Sequence, residues 1–265
     1  MLTRIEEVMG IPVIVQVGDG EVGEPDVDRA FEWLRFVDRT FSTYVSDSEI
    51  SRINTGLLAV RDAHTAVRSV VRQCEQLRRQ TLGYFDIAAA GGGARAIDPS
   101  GFVKGWAIEG AGRILVRAGA RNWWINAGGD ICLHGGSPGA AGWRVGIQHP
   151  RERMGVAAVV ELCEGAIATS GAYERGEHVV DPHTGRPPQG IESITIIGSN
   201  LATVDAYATA AYAMGRKGAE WAARLQGHGA IATFDDGRIA YSYGVEKYLR
   251  QGTGDGRQLP AGQAA

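Results

Sequence analysis

The sequence predicts an α+β fold of mixed, largely antiparallel sheets with packed helices. Short β-rich segments cluster between residues 122 and 198 instead of alternating one by one with helices, which argues against a doubly wound parallel sheet. Segments with helical apolar spacing stand before and after that cluster. Gly, Pro and charged residues separate the β-rich segments closely enough for hairpins.

The elements follow in chain order. Residues 13–17, a β-branched run after Pro12, read as a strand, and in residues 25–43 Val27, Phe31, Leu34, Phe36, Val37 and Phe41 recur at helical spacing. The chain therefore opens strand then helix. Residues 47–54 carry helix-start residues and predict a short helix; residues 63–79 predict a longer one, with Val67, Val70, Val71, Cys74 and Leu77 inward and Gly83 as its stop. Residues 104–117 read as a helix entered from a turn at Gly101, and residues 122–126 as a buried strand that ends in Ala127-Gly128-Gly129-Asp130. Strands follow at 143–148, 156–162, 166–169 and 193–198. An Ala-rich helix over 201–214 and a second over 217–225 precede a hairpin of 230–234 with 239–243, closed by Asp235-Asp236-Gly237. No linker divides the chain, so residues 1–250 form one predicted domain and the Gly-, Gln- and Pro-rich residues 251–265 a disordered tail.

Composition narrows the class of partner. A net charge of -3 over 265 residues gives no sequence-wide basic field for nucleic acid, which favours a small-molecule or protein substrate. The 38 glycines fall mainly between periodic segments, where backbone must come close to something. Cys74, Cys132 and Cys163 are odd in number and widely spaced, which fits neither a disulfide framework nor a structural zinc site. Acidic residues occupy the start of the chain where a signal peptide needs a basic then apolar run, and no long uncharged apolar stretch follows. The expectation is a cytoplasmic protein without a membrane segment or lipid-attachment cysteine.

The chemistry-bearing residues lie in several clusters. Asp205 and Thr209 are four apart, so on a helix their oxygens share a face about one turn apart. A hard cation such as Mg²⁺ takes oxygens of this kind and completes its octahedron with water and phosphate. The plainer reading is an Asp near a helix N-terminus and a Thr bonded back to a carbonyl; against it, Ala202, Ala206 and Ala213 are small neighbours that leave room for a ligand. Asp98 and Lys104 flank Ser100-Gly101, where a glycine lets backbone approach a phosphate or offer a carbonyl to a metal. Lysine at a helix opening is at the end where cations are disfavoured, so a phosphate or carboxylate is expected to hold it.

Asp181-Pro182-His183-Thr184-Gly185 is most simply a tight turn. His178 before it is either a structural histidine or a general base, and spacing does not choose between them. Asn126 to Asp130 is a strand-to-glycine junction of the kind a ring or phosphate approaches, without a GxGxxG pattern. Phe41-Ser42-Thr43-Tyr44 and Tyr84-Phe85-Asp86 put aromatics beside polar groups.

In order along the chain, Met9-Gly10, Phe41 to Tyr44 with Asp47 to Ile50 and Asn54, Thr81 to Asp86, Asp98 to Gly105, Asn126 to Asp130, Thr169 to Gly171, His178 to Gly185 and Asp205 to Thr209 resemble the ApbE family, flavin transferases that use FAD to attach FMN to a protein. The resemblance runs from about Met9 to Tyr243 and implies an ApbE-like (T-fold-like) architecture. It further implies that Met9, Tyr44, Tyr84, Phe85 and Asp86 line the flavin and adenine positions, that Asp98 and Lys104 contact FAD and that Val179 offers backbone contacts. The Gly101 carbonyl, Asp205 and Thr209 are then the Mg²⁺ ligands, and His178 is the base for an acceptor Ser or Thr hydroxyl that attacks FAD and releases AMP. Pro99 and the run Ala88 to Gly93 depart from the family's usual pattern. The partners implied are FAD and an acceptor protein; a homodimer is compatible with the sequence. Alternatives are an FAD pyrophosphatase giving FMN and AMP, and a non-catalytic FAD-binding protein.

Overall fold

A computed structural model describes residues 1–90, 96–137, 139–152, 154–171, 179–249 and 257–258. Its centre is a nine-stranded sheet in the order β1-β2-β3-β4-β7-β8-β9-β10-β11, with β5 and β6 as a separate two-stranded sheet. The strands are β1 (Leu2–Val8), β2 (Ile11–Val17), β3 (Trp123–Ala127), β4 (Asp130–His134), β5 (Trp143–Gln148), β6 (Val156–Leu162), β7 (Glu164–Gly171), β8 (Ser193–Gly198), β9 (Gly229–Thr233), β10 (Ile239–Tyr241) and β11 (Arg257–Gln258). Every neighbouring pair is antiparallel except β10 with β11, which is parallel. The helices are α1 (Glu24–Phe41), α2 (Glu49–Asn54), α3 (Thr65–Gln80), α4 (Ile87–Ala90), α5 (Ser100–Arg117), α6 (Leu201–Ala213) and α7 (Arg216–Ala222).

Strand alternation builds three layers. In β8, Ile194 and Ile196 join a core with the helices while Ile197 joins a second core under the β5–β6 hairpin; in β7, Ala166 and Ala168 go one way and Ile167 the other. The helix-side core takes the α1 stripe Val27, Ala30, Phe31, Leu34, Val37 and Phe41 together with Val67, Val70, Cys74 and Leu77 of α3. Val71, expected inward, is only partly buried.

α6 is buried almost all round, as an Ala-rich helix without a polar face must be. Ala202, Ala206 and Ala213, expected to leave space for a ligand, are instead buried in packing. The reason is close helix approach: a β-carbon at Gly105 of α5 would lie 2.8 Å from the Ala202 backbone, so these two helices meet over small residues.

Three elements differ from the sequence expectation. A strand, β1, precedes the expected first strand and pairs with it through the left-handed turn residues Met9 (φ 58°) and Gly10 (φ 70°). The junction at Asn126 to Asp130 is a hairpin, with Gly128 (φ 59°) and Gly129 (φ 93°) linking β3 to β4. Helix α5 begins at Ser100, not Lys104, because the Asp98 carboxylate accepts from the Ser100 N–H at 2.9 Å and Pro99 is tolerated at the cap. Gly101 thus lies inside the first helical turn and Lys104 one turn further in. In the expected tail, Arg257–Gln258 pairs with Ala240–Tyr241, and the other residues beyond 249 lie outside the described residues.

Candidate active site

Lys104 is the hub of a buried charge cluster. Its Nζ lies 2.5 Å from Oδ2 of Asp130 and 3.9 Å from Oδ2 of Asp205, with side-chain exposures of 16% for Lys104, 0% for Asp130 and 6% for Asp205. Three elements meet here: α5 supplies the lysine, the first residue of β4 the first carboxylate, and α6 the second. A buried ammonium and two buried carboxylates are tolerable together because each opposite charge offsets the desolvation of the next. Two carboxylates face one ammonium here, which suits a cation or a cationic face of a ligand. Asp130 also accepts from the Thr169 N–H at 3.4 Å, which ties β4 to β7 beside the cluster, and Thr169 Oγ1 is 2.8 Å from Thr195 Oγ1.

Gly101 and Thr209 adjoin this cluster. A β-carbon built on Gly101 would lie 3.8 Å from Thr209 Oγ1 and 3.5 Å from Phe85 Cε2. The structure therefore brings together Phe85, Gly101, Lys104, Asp205 and Thr209, which come from three separate stretches of the chain. The segment entering α5 is fixed from both sides: Asn54 donates through Nδ2 to the Ile97 carbonyl at 3.0 Å and accepts the Ile97 N–H at 2.8 Å, and the Asp98 N–H donates to the Ile87 carbonyl at 2.8 Å.

These groups suit a hard cation in donor chemistry. Asp205 offers a carboxylate, Thr209 a hydroxyl and Gly101 a carbonyl, all oxygen; inside a helix the Gly101 carbonyl faces the Gly105 N–H and would offer its second lone pair. Among the described residues no three His, Cys, Asp or Glu side chains gather as a metal cage. The set fits Mg²⁺, which commonly uses one or two carboxylates and takes its other ligands from water and substrate phosphates.

The remaining predicted site residues are placed by contacts of their own. Phe85 is buried, its N–H held at 3.0 Å by the Thr81 hydroxyl, while Tyr84 meets His183 edge-on with ring centroids 4.6 Å apart. The Asp86 carboxylate accepts from the Ala88 N–H at 2.8 Å. Val179 packs partly buried against the helix-side core. Met9 occupies the β1–β2 turn, where its N–H donates to Asp38 Oδ2 at 3.3 Å. Tyr44 follows α1 and is 97% exposed. His178 lies outside the described residues.

Sequence reasoning assigned no role to Asp130. The available signal was a carboxylate directly after a Gly-Gly turn, together with a lysine in the first part of a helix that needed a counter-charge. A separate cleft of about 560 Å³, lined by Gly18, Asn122, Gly135, Gly136, Ala141 and Cys163 among others, lies at the opposite end of the β3–β4 hairpin from Asp130. It shares no residue with the predicted site.

Comparisons with known proteins agree with the fold and with the family resemblance. The model of the ApbE family matches residues 9–92 and 89–232. A relative from Rhodobacter capsulatus, named FAD:protein FMN transferase, is 36% identical over 155 residues, covering 54% of this chain and 29% of its own length. A Vibrio cholerae relative of the same name is 26% identical over 256 residues, covering 76% of each chain. A Salmonella typhimurium relative of that name is 30% identical over 141 residues, and the match spans only 40% of its length. Among solved structures, the ApbE protein of Thermotoga maritima and the flavin transferase ApbE of Vibrio cholerae each superpose with a TM-score of 0.83 at 22% identity, over 94% of this chain and 99% of theirs.

Proposed function

Because the chain belongs to the ApbE family, we propose that it transfers FMN from FAD to a Ser or Thr hydroxyl of an acceptor protein, with Mg²⁺ bound and AMP released. The observation that carries this reading is the meeting of Gly101, Asp205 and Thr209 beside the buried Lys104–Asp130 pair. That arrangement puts oxygen donors for a divalent cation and a fixed ammonium side by side, which is what a pyrophosphate needs. The names of the relatives support FAD as the substrate.

This reading gives each residue a part. Asp205 and Thr209 on α6, with the Gly101 carbonyl, would hold Mg²⁺, which when bound neutralises charge on the pyrophosphate. Lys104, kept in place by Asp130, presents its ammonium to a phosphate oxygen, and the N-terminus of α5 adds the partial positive charge of its first turn. Phe85 and Tyr84 form an apolar wall for a flat ring. The acceptor hydroxyl attacks the phosphorus nearest the riboflavin, the phosphoanhydride bond to the adenylate breaks, and a phosphodiester forms. By the family resemblance, His178 would take the hydroxyl proton, and AMP departs with the bridging oxygen.

The test is incubation of the protein with FAD, Mg²⁺ and a protein carrying a Thr-containing flavinylation sequence. The acceptor is expected to gain covalent FMN while AMP appears in equal amount. Free FMN with an unmodified acceptor would identify a pyrophosphatase instead, and unchanged FAD a binding protein.

A further inference from the structure

His183 joins two separate segments on which the FAD reading depends. Its Nε2 lies 3.1 Å from the Leu82 carbonyl, and its ring meets Tyr84 edge-on at 4.6 Å between centroids. A carbonyl only accepts, so Nε2 carries the proton in this contact. Gly83 between those two residues leaves the room: a β-carbon there would come within 3.3 Å of the imidazole Cε1.

Both ends of the contact are stiff. On one side, Asp181 Oδ1 accepts from the His183 N–H at 2.9 Å, its Oδ2 accepts from Thr184 Oγ1 at 3.0 Å, and its carbonyl accepts from the Gly185 N–H at 2.7 Å. On the other, the turn after α3 is held by the Gly83 N–H on the Arg78 carbonyl at 2.7 Å. That turn places Leu82, at φ 56°, in the left-handed region that a leucine rarely adopts. A side chain that reaches from one stiff turn to another can fix the distance between the Tyr84–Phe85 wall and the segment starting at Val179.

We propose that His183 is a positioning residue that latches the 82–84 turn to the 181–185 turn and so sets the width of the slot that receives FAD. The inference rests on the reading of this site as an FAD site. His183 itself touches no reacting atom; it acts through Tyr84 and through the loop that follows Val179. Loss of the latch therefore weakens binding of FAD and leaves the chemical step almost untouched.

The test compares wild type with His183→Ala and His183→Gln by FAD binding, read from flavin fluorescence, by the rate of FAD consumption and by Tm. One lost hydrogen bond of ordinary net strength corresponds to about a fivefold weaker Kd for His183→Ala, with kcat within about twofold of wild type. Gln keeps an N–H donor at a similar reach and is expected to restore Kd to within about twofold. Unchanged FAD affinity in the Ala variant overturns the latch, as does a weakened affinity that follows a lowered Tm in both variants. Wild-type protein that binds FAD without consuming it would refute the transfer reading while the Kd comparison still decides the latch; wild-type protein that does not bind FAD would refute both.

Discussion

At the scale of single residues, the account turns on the Lys104, Asp130 and Asp205 charges. Asp205→Ala removes the only carboxylate among the proposed cation ligands, so Mg²⁺-dependent FAD turnover is expected to fall by on the order of 100-fold, with the far-UV circular dichroism unchanged. Asp130→Asn has a different signature. It leaves Lys104 without the Asp130 counter-charge in a buried place, and chemical denaturation is expected to show a loss of about 3–5 kcal/mol. The cysteines offer a check of the packing itself. Burial pushes the thiols of Cys74 and Cys132 up to about 12, while Cys163 is exposed. A thiol reagent at neutral pH is expected to titrate one cysteine in the native chain and three after unfolding. The i,i+4 spacing of Asp205 and Thr209 was legible because a helix makes such a pair geometric neighbours. The pairing of Lys104 with Asp130 was not, since it crosses from a helix to a strand start that only the folded sheet defines.

At the scale of elements, the contact of α5 with α6 sets the distance between Gly101 and Thr209. Gly105→Ala would place a methyl group 2.8 Å from the Ala202 backbone, costing about 1–3 kcal/mol by overpacking and separating the proposed cation ligands. Weaker Mg²⁺ activation, measured as a raised half-saturating concentration, is the expected accompaniment. The start of α6 carries a pH dependence. Burial pushes the Glu109 carboxyl up from its ordinary 4.5, and hydrogen bonds from the Leu201 N–H and, more weakly, the Asn200 amide offset this only in part. With the folded pKa above the unfolded one, the native chain binds more protons between the two values, so this group's stability contribution falls as pH rises through that window. Glu109→Gln is therefore expected to compare more favourably with wild type at pH 8 than at pH 4.5 in denaturant titrations. Most helices were legible from apolar stripes such as that of α1. β1 was not, because Arg4 and Glu6 on its half-buried face are paired with each other and with Asp28 and Arg35 of α1, so charge hides the alternation that marks a strand. β4 was obscured in a similar way by Asp130, whose partner lies on α5.

At the scale of the whole molecule, the nine-stranded sheet carries helices on one face and the β5–β6 hairpin on the other. The candidate site lies on the helix side, where α5 and α6 cross the start of β4. The antiparallel sheet could be anticipated from clustered short strands, but its order could not, since β4 pairs with β7 across the inserted β5–β6 hairpin. The same architecture explains why local motifs underdetermined the site: residues 85, 101, 104, 130, 205 and 209 come from a turn, two helices and a strand start that only the folded chain brings together. Among the described residues no helix is long and apolar enough to cross a membrane. The central claim, that these elements assemble a site for moving FMN from FAD onto a protein, is tested most directly by the intact mass of an acceptor protein after incubation with this chain, FAD and Mg²⁺. The account predicts an acceptor heavier by one FMN less one water, gained on the order of 100-fold more slowly when Asp205→Ala replaces the wild type. An acceptor of unchanged mass beside accumulating free FMN would contradict it.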